Sequence, residues 1–371
     1  MNILFVISSL AKQAPVRLLL DIAKGMQQKN HEVQVLTLNR EKKNSMIDEF
    51  IASGINLHCL NESKLSCELF TQYVCRKVQN YIADHDIDLV HCSCYNSTVV
   101  CAKLEGVKKT LTFHNYCTDH IISRGRLMGS YMVFRFLKSA SNYDVPIAIS
   151  QDMQQFYQKR FRGTMVQCVY NGVNTEKFVP VGIEKVKDKL KEELGLPQKK
   201  IYLVCGSLCK RKNPLPIVRA FNSAKLENAV LVFIGDGELL NEAKSVANEN
   251  IIFKGFVSNA AEYFSASDVL ISASLSEGLP LNSLEALSAG MGLILSNIKA
   301  HKEIAELCAC EFIRLFSLDD EDVLRQELRN LNDTNYFLHY EEIRQKAIVL
   351  FSREVMVENY ERLFVGRGVV N

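Results

Sequence analysis

The sequence has no tryptophan and no apolar run of about 18 residues. The first absence excludes nothing by itself. The second excludes a membrane-spanning helix. The opening stretch Met1-Asn2-Ile3-Leu4-Phe5-Val6-Ile7 lacks a basic n-region and a following small-residue cleavage site, so it reads as a buried strand rather than an export signal. No Gly-x-Gly-x-x-Gly follows that strand, which argues against a nicotinamide dehydrogenase. The net charge is only +2. Without a concentrated basic face, no nucleic-acid partner is expected. The 12 cysteines follow no disulfide-scaffold spacing and read as reduced thiols of a cytoplasmic protein. Cys92-Ser93-Cys94 and Cys308-Ala309-Cys310 are single close pairs, so they read as small hydrophobes, and no metal is expected. There is no low-complexity segment and no short-period repeat.

What is present alternates. At 371 residues the chain is too long for one ordinary core and suits two domains. Apolar runs at 2–8, 32–38, 55–60, 88–91, 110–114 and 146–150 read as strands. Amphipathic stretches at 16–28, 69–83, 128–141 and 152–159 read as helices between them. Asn171-Gly172-Val173-Asn174 is a turn signal, and a charged helical stretch follows at 184–193. The junction therefore falls at about 171–185, giving domains 1–175 and 176–350. The alternation then restarts, with strands at 201–205, 229–234, 251–254, 268–272 and 293–296. Helices are expected at 214–224, 238–247, 260–265, 281–289 and 302–307. Strand-helix-strand repetition implies parallel sheets covered on both faces, and two such runs imply twin Rossmann-like domains. The tail to Phe364 reads as one amphipathic helix with Val355, Met356, Tyr360, Leu363 and Phe364 as its buried stripe.

The chemistry centres on Ser276-Glu277-Gly278-Leu279-Pro280-Leu281-Asn282-Ser283-Leu284-Glu285-Ala286. A strand precedes it and a helix follows, so Glu277 lies on the loop and Glu285 in the early helical turns. The free N–H groups at the helix start favour an anion. Gly206-Ser207-Leu208-Cys209-Lys210-Arg211-Lys212-Asn213 is a second strand-to-helix loop, rich in cations that can neutralise a diphosphate as its bond to a sugar breaks. Phe233-Ile234-Gly235-Asp236-Gly237-Glu238 is a third, where glycine lets backbone approach a ligand. Gly255-Phe256-Val257 is a fourth.

Glu-Gly-Leu-Pro-Leu-x-x-Leu-Glu-Ala resembles the E-x7-E signature of family-4 retaining glycosyltransferases. The resemblance implies an α/β GT-B fold: two Rossmann-like domains facing across a cleft, with the last helix (351–371) crossing back to the first. It implies that Glu277 meets the donor sugar, that Glu285 meets the ribose, and that Gly278, Leu279, Pro280 and Leu281 offer backbone to the sugar and diphosphate. Gly206, Ser207 and Lys212 fall where the family shows Gly-Arg-Leu-x-x-x-Lys. Lys212 matches the lysine, whereas Ser207 replaces the arginine, with Lys210 or Arg211 as substitutes. Gly235 and Gly237 resemble the family's Gly-x-Gly, and Phe256 and Val257 the segment against the base. His114, in Thr112-Phe113-His114-Asn115, resembles the histidine that reaches the donor sugar. The loop Ser8 to Pro15 has no glycine where the family has Gly-Gly.

The implied activity is retaining transfer from a UDP- or GDP-linked sugar to a carbohydrate or lipid-linked hydroxyl acceptor in polysaccharide or glycolipid assembly, with no metal or other cofactor. The alternatives are a nucleotide-sugar epimerase or sugar phosphorylase on this fold, and a catalytically silent glycan- or partner-binding scaffold. Arg124, Arg126, Arg135 and Lys138 interleave with Leu127, Met128, Tyr131, Met132, Phe134, Phe136 and Leu137. Such a segment (121–140) can lie on the anionic inner face of a membrane.

Overall fold

The computed structural model describes residues 1–41, 44–161, 163–332 and 339–369, without the side chains of 122 and 123. The chain divides into two compact units. Met1–Asn171 and Arg353–Asn371 form the first, Gly172–Ser352 the second.

The first unit carries strands β1 (Asn2–Ile7), β2 (Glu32–Asn39), β3 (Asn56–Glu62), β4 (Leu89–Ser93), β5 (Lys108–Phe113), β6 (Val145–Ala148) and β7 (Gln167–Cys168). They form one sheet in the order β3-β2-β1-β4-β5-β6-β7, parallel throughout. Ile3 to Ile7 of β1 are buried on both faces. That is why β1 is a continuous apolar run rather than an alternating one. The order reverses between β1 and β4.

The second unit repeats the scheme with β8 (Lys200–Cys205), β9 (Ala229–Ile234), β10 (Ile251–Gly255), β11 (Val269–Ser272), β12 (Gly292–Ser296) and β13 (Ile313–Phe316). The order is β10-β9-β8-β11-β12-β13, again all parallel. It reverses between β8 and β11. In doubly wound sheets the ligand crevice opens at such a reversal, beyond the carboxyl ends of the strands. The loop after β8 begins at Gly206 and the loop after β11 leads to Glu277, so the two richest loops of the sequence leave neighbouring strands.

Several elements leave little trace in the sequence pattern. The two-residue β7 is too short to show a period, and β13 alternates buried Ile313 with exposed Arg314. The helices Ile47–Ala52, Tyr95–Cys101, Glu321–Asn332 and Tyr340–Phe351 are additions to the expected set. The helix expected at 69–83 is two helices, Lys64–Leu69 and Thr71–Asp84, broken at Phe70. Ser63 caps the first by accepting from Ser66 N at 2.9 Å.

The last helix, Arg353–Phe364, packs on the first unit through Met356, Val357, Tyr360, Leu363 and Phe364. Val357 is buried and Val355 only half so, a shift of the expected stripe. Tyr360 Oη and Thr112 Oγ1 share a hydrogen bond of 2.8 Å. Lys108 Nζ donates to the carbonyls of Leu363 and Phe364 at 3.0 and 2.9 Å, satisfying two acceptors that the helix end leaves open.

Candidate functional site

The carboxylate of Glu277 is one-tenth exposed and meets two cations from the loop after β8. Lys212 Nζ lies 2.6 Å from Oε1, and Arg211 Nη1 lies 2.8 Å from Oε2. The two loops are also joined through backbone. Arg211 Nη1 donates to the Ser276 carbonyl, and Leu275 N donates to the Arg211 carbonyl, both at 2.8 Å. Burial pushes the Glu277 carboxyl up, but the charges of Lys212 and Arg211 outweigh it and hold the group below the usual carboxylate range. Glu277 is therefore ionised at neutral pH.

Behind Glu277 runs a polar chain that no sequence motif marks. Ser274 hydrogen-bonds the Glu277 carboxylate. Ser296 Oγ donates to the Ser274 carbonyl at 2.7 Å, and His301 Nδ1 lies 2.8 Å from the Ser296 carbonyl. His301 is fully buried, which lowers its pKa to about 4 and keeps it neutral. The Nδ1 nitrogen facing a carbonyl carries the proton, leaving Nε2 as an acceptor with no donor among the described residues.

The helix Leu281–Ser288 starts beside this cluster. Its cap residue, Pro280, supplies no side-chain hydrogen bond; Ser283 N already donates to Asn282 Oδ1 at 3.0 Å, and among the described residues the N–H groups of Leu281 and Asn282 remain available to an anion. Asn282 Nδ2 donates to the Cys205 carbonyl at 3.0 Å, pinning the helix start to the end of β8. Gly278, Leu279 and Pro280 are buried, Leu281 half-buried, and Glu285 only 7% exposed. A cavity of about 10 Å³ is lined here by Gly206, Ser207, Lys212, Ser272 and Asn282. An open groove of about 510 Å³ lies elsewhere, between β3 and the helix Thr71–Asp84, and takes in none of these residues. Among the described residues no group of three or more His, Cys, Asp or Glu side chains is placed to hold a metal ion.

Comparison with known proteins bears on this cluster. The pattern described as Glycosyltransferase Family 4 matches residues 16–177, and that described as Glycosyl transferases group 1 matches residues 186–313. The chain belongs to the family-4 glycosyltransferases. Its relatives include the Escherichia coli UDP-Gal:alpha-D-GlcNAc-diphosphoundecaprenol alpha-1,3-galactosyltransferase, 32% identical over 37% of this chain and 38% of that one. Another is the alpha-monoglucosyldiacylglycerol synthase of Streptococcus pneumoniae, 31% identical over 49% of this chain and 45% of that one. These matches span less than half of either relative. The fold matches that of Anabaena HepE in complex with UDP, with a TM-score of 0.81 over 98% of this chain and 100% of that one at 17% identity. The two parallel units are thus the halves of a GT-B glycosyltransferase.

In this glycosyltransferase the remaining predicted residues fall in three places. Gly235 and Gly237 lie on the loop after β9, but the close approach there is to protein. A Cβ on Gly235 would overlap the Gly206 carbonyl oxygen, and one on Gly237 would overlap that of Leu208. The glycines let two loops stack backbone to backbone, fixing the loop that carries Lys212. Phe256, after β10, is 79% exposed and presents its ring to solvent, with Val257 half-buried beside it. His114 belongs to the first unit, just past β5. It is half-buried, and its Nε2 has no hydrogen-bond partner among the described residues. Burial lowers its pKa to about 4, so it is a neutral hydrogen-bonding group rather than an acid. Ser207 is exposed and contributes no cation. In the glycine-free loop 8–15, Leu10 N donates to Glu41 Oε1 at 2.8 Å.

Proposed function

We propose that this glycosyltransferase moves a sugar from a UDP- or GDP-linked donor to the hydroxyl of a carbohydrate or lipid-linked acceptor, with retained anomeric configuration and without a metal ion. The single observation that carries the reading is the ionised Glu277 held by Lys212 and Arg211 where the sheet order reverses, next to an uncapped helix start. That arrangement suits a sugar diphosphate. The helix N–H groups and Lys212 take the charge that builds on the leaving diphosphate. Glu277 and the backbone of Gly278 to Leu281 hold the sugar, Glu285 binds the ribose, and Phe256 and Val257 flank the base. Residues 176–350 form the nucleotide side of the enzyme. Residues 1–175 form the acceptor side, with His114 as a hydrogen-bond partner of a sugar hydroxyl.

A lipid-linked acceptor fits the surface of the first unit. The helix Arg126–Ala140 has two apolar faces. Gly129, Met132, Phe136 and Ala140 pack inward, while Leu127 is 91% exposed and Met128, Tyr131 and Phe134 are more than half exposed. The helix carries Arg126, Arg135 and Lys138 and no acid. Arg135 donates to the Thr71 hydroxyl. Next to Thr71, Leu69, Phe70 and Tyr73 are also more than half exposed. Several large apolar side chains exposed together beside basic ones suit a contact site. Segment 121–140 and this neighbouring corner form a peripheral contact with the inner, anionic face of a membrane. No described helix is long and apolar enough to cross one.

The test is to incubate the purified protein with a panel of UDP- and GDP-sugars, with and without acceptor, and to follow nucleoside diphosphate release and product anomer. Acceptor-dependent release with an unchanged anomer is expected. Sugar interconversion without acceptor would identify an epimerase, and a requirement for inorganic phosphate a phosphorylase. No turnover of any donor would identify a silent scaffold.

A further inference from the structure

The loop after β8 lacks a cation at Ser207 yet places two on one carboxylate. Arg211 is exposed enough to reach a ligand, with 46% of its side chain open to solvent, whereas Lys212 is 20% exposed. Lys210 shows only a backbone bond, from its N–H to Glu238 Oε1 at 3.3 Å. Arg211 is held at both ends: its carbonyl accepts from Leu275 N, and its Nη1 donates to the Ser276 carbonyl. Its Nε and Nη2 make no hydrogen bond among the described residues. The guanidinium is thus positioned by one edge, and its other donors are open to a second oxygen acceptor. Arginine's planar fork suits a phosphate in that role.

The charges add to one net positive: two cations and one carboxylate. The carboxylate of Glu277 makes with Lys212 and Arg211 the contacts that an anionic ligand would make. A diphosphate carries at least two negative charges, and it competes with Glu277 for the same N–H donors.

We infer that Arg211 is the second diphosphate-binding cation of this enzyme, in place of the side chain that Ser207 lacks, and that Glu277 holds Arg211 and Lys212 in position until a nucleoside diphosphate takes them over. This rests on the donor site proposed above and adds two things to it. The cation is assigned to one residue, and Glu277 acquires an opposing effect on nucleotide binding. It holds the cations when the site is empty and is released toward the sugar when they turn to the diphosphate. No bond is made or broken in this exchange.

The inference is tested by calorimetry on the full chain with UDP and GDP, and with UMP and GMP as controls that lack the second phosphate. Arg211→Ala should weaken whichever diphosphate binds by roughly tenfold or more, the loss of a charge-assisted contact. It should leave the matching monophosphate within about twofold. Ser207→Arg placed in the Arg211→Ala background should restore most of the loss, because position 207 is exposed and lines the same cavity as Lys212. Glu277→Gln should do the opposite of an ordinary binding-site substitution. It removes a competing negative charge and should tighten diphosphate binding severalfold, while transfer is lost. Equal loss of mono- and diphosphate affinity in Arg211→Ala, no recovery with Ser207→Arg, or weaker UDP and GDP binding in Glu277→Gln would each overturn it. Arg211 lies on the surface, so its replacement leaves the fold intact, and circular dichroism checks this for Glu277→Gln. A wild-type protein that binds neither UDP nor GDP overturns the donor reading itself, and this inference with it.

Discussion

Gly25 and Val357 touch across two helices that are 332 residues apart in the chain, and a Cβ built on Gly25 would overlap both methyl groups of Val357. Gly25 belongs to the helix Ala14–Gln28 and Val357 to the last helix. The glycine is therefore a packing requirement of the docked tail, in a helix interior where alanine is otherwise favoured by about 1 kcal/mol.

Gly25→Ala is expected to destabilise the protein despite that propensity gain, because overpacking costs roughly 1–3 kcal/mol. Combining it with Val357→Ala should recover part of the loss. Urea unfolding of the two single variants and the double variant measures the coupling. A Gly25→Ala protein as stable as wild type would refute the close contact.

Glu285→Ala is expected to weaken nucleotide binding by roughly 10–100-fold, the equivalent of a charged hydrogen bond of about 1.5–3 kcal/mol. The check is the dissociation constant of UDP or GDP by calorimetry, with the melting temperature measured alongside because Glu285 is buried. Unchanged affinity removes Glu285 from the site.

Stability should fall as the medium is acidified from about pH 6.5 toward pH 4. His91, His114 and His301 are neutral in the folded chain, with burial lowering their pKa values to about 3, 4 and 4 from an ordinary 6.5. The unfolded chain takes up protons at higher pH than the folded one, so acid favours unfolding across that window. Glu277 is also shifted downward, by the charges of Lys212 and Arg211, so it too contributes stability that is present above the ordinary carboxylate value and lost as the pH falls through its folded pKa. Melting temperatures read at closely spaced pH values should decline below about pH 6.5. His91→Gln, at a side chain set between Thr110 and Thr112, should flatten the decline.

Vesicle binding should need both the apolar patch and the anionic headgroup. Leu127→Ser with Phe134→Ser, and separately Leu69→Ser with Phe70→Ser, should each reduce flotation with vesicles containing phosphatidylglycerol. Wild type should show little binding to pure phosphatidylcholine, and its binding should weaken as salt rises. These side chains are exposed, so the fold should be unaffected. Flotation that is unchanged in both pairs would show that the membrane is not what covers this face.

Much of the architecture is legible in the residues because buried parallel strands leave a strong mark. Runs such as Asn2–Ile7 and Ala229–Ile234 are apolar on both faces, whereas the helices keep a polar side. Edge elements carry less of that mark, which is why β7 and β13 do not stand out. The acid-pair stretch is legible for a different reason. Its turn and helix are local, so Glu277, Pro280 and Leu281 declare loop, cap and helix without help from elsewhere.

The residues read in order were enough for two doubly wound units, for the loops that end their strands, and for the acidic stretch that marks the family. They could not say that Arg211 rather than Lys210 turns to Glu277, that Gly235 and Gly237 serve loop stacking, or that Ser274, Ser296 and His301 stand behind the carboxylate. Those points appear once the chain is packed, because a side chain's direction on a loop is set by its neighbours across the sheet. Arg211 and Ser276 are 65 residues apart in the chain and meet only because β8 and β11 lie side by side.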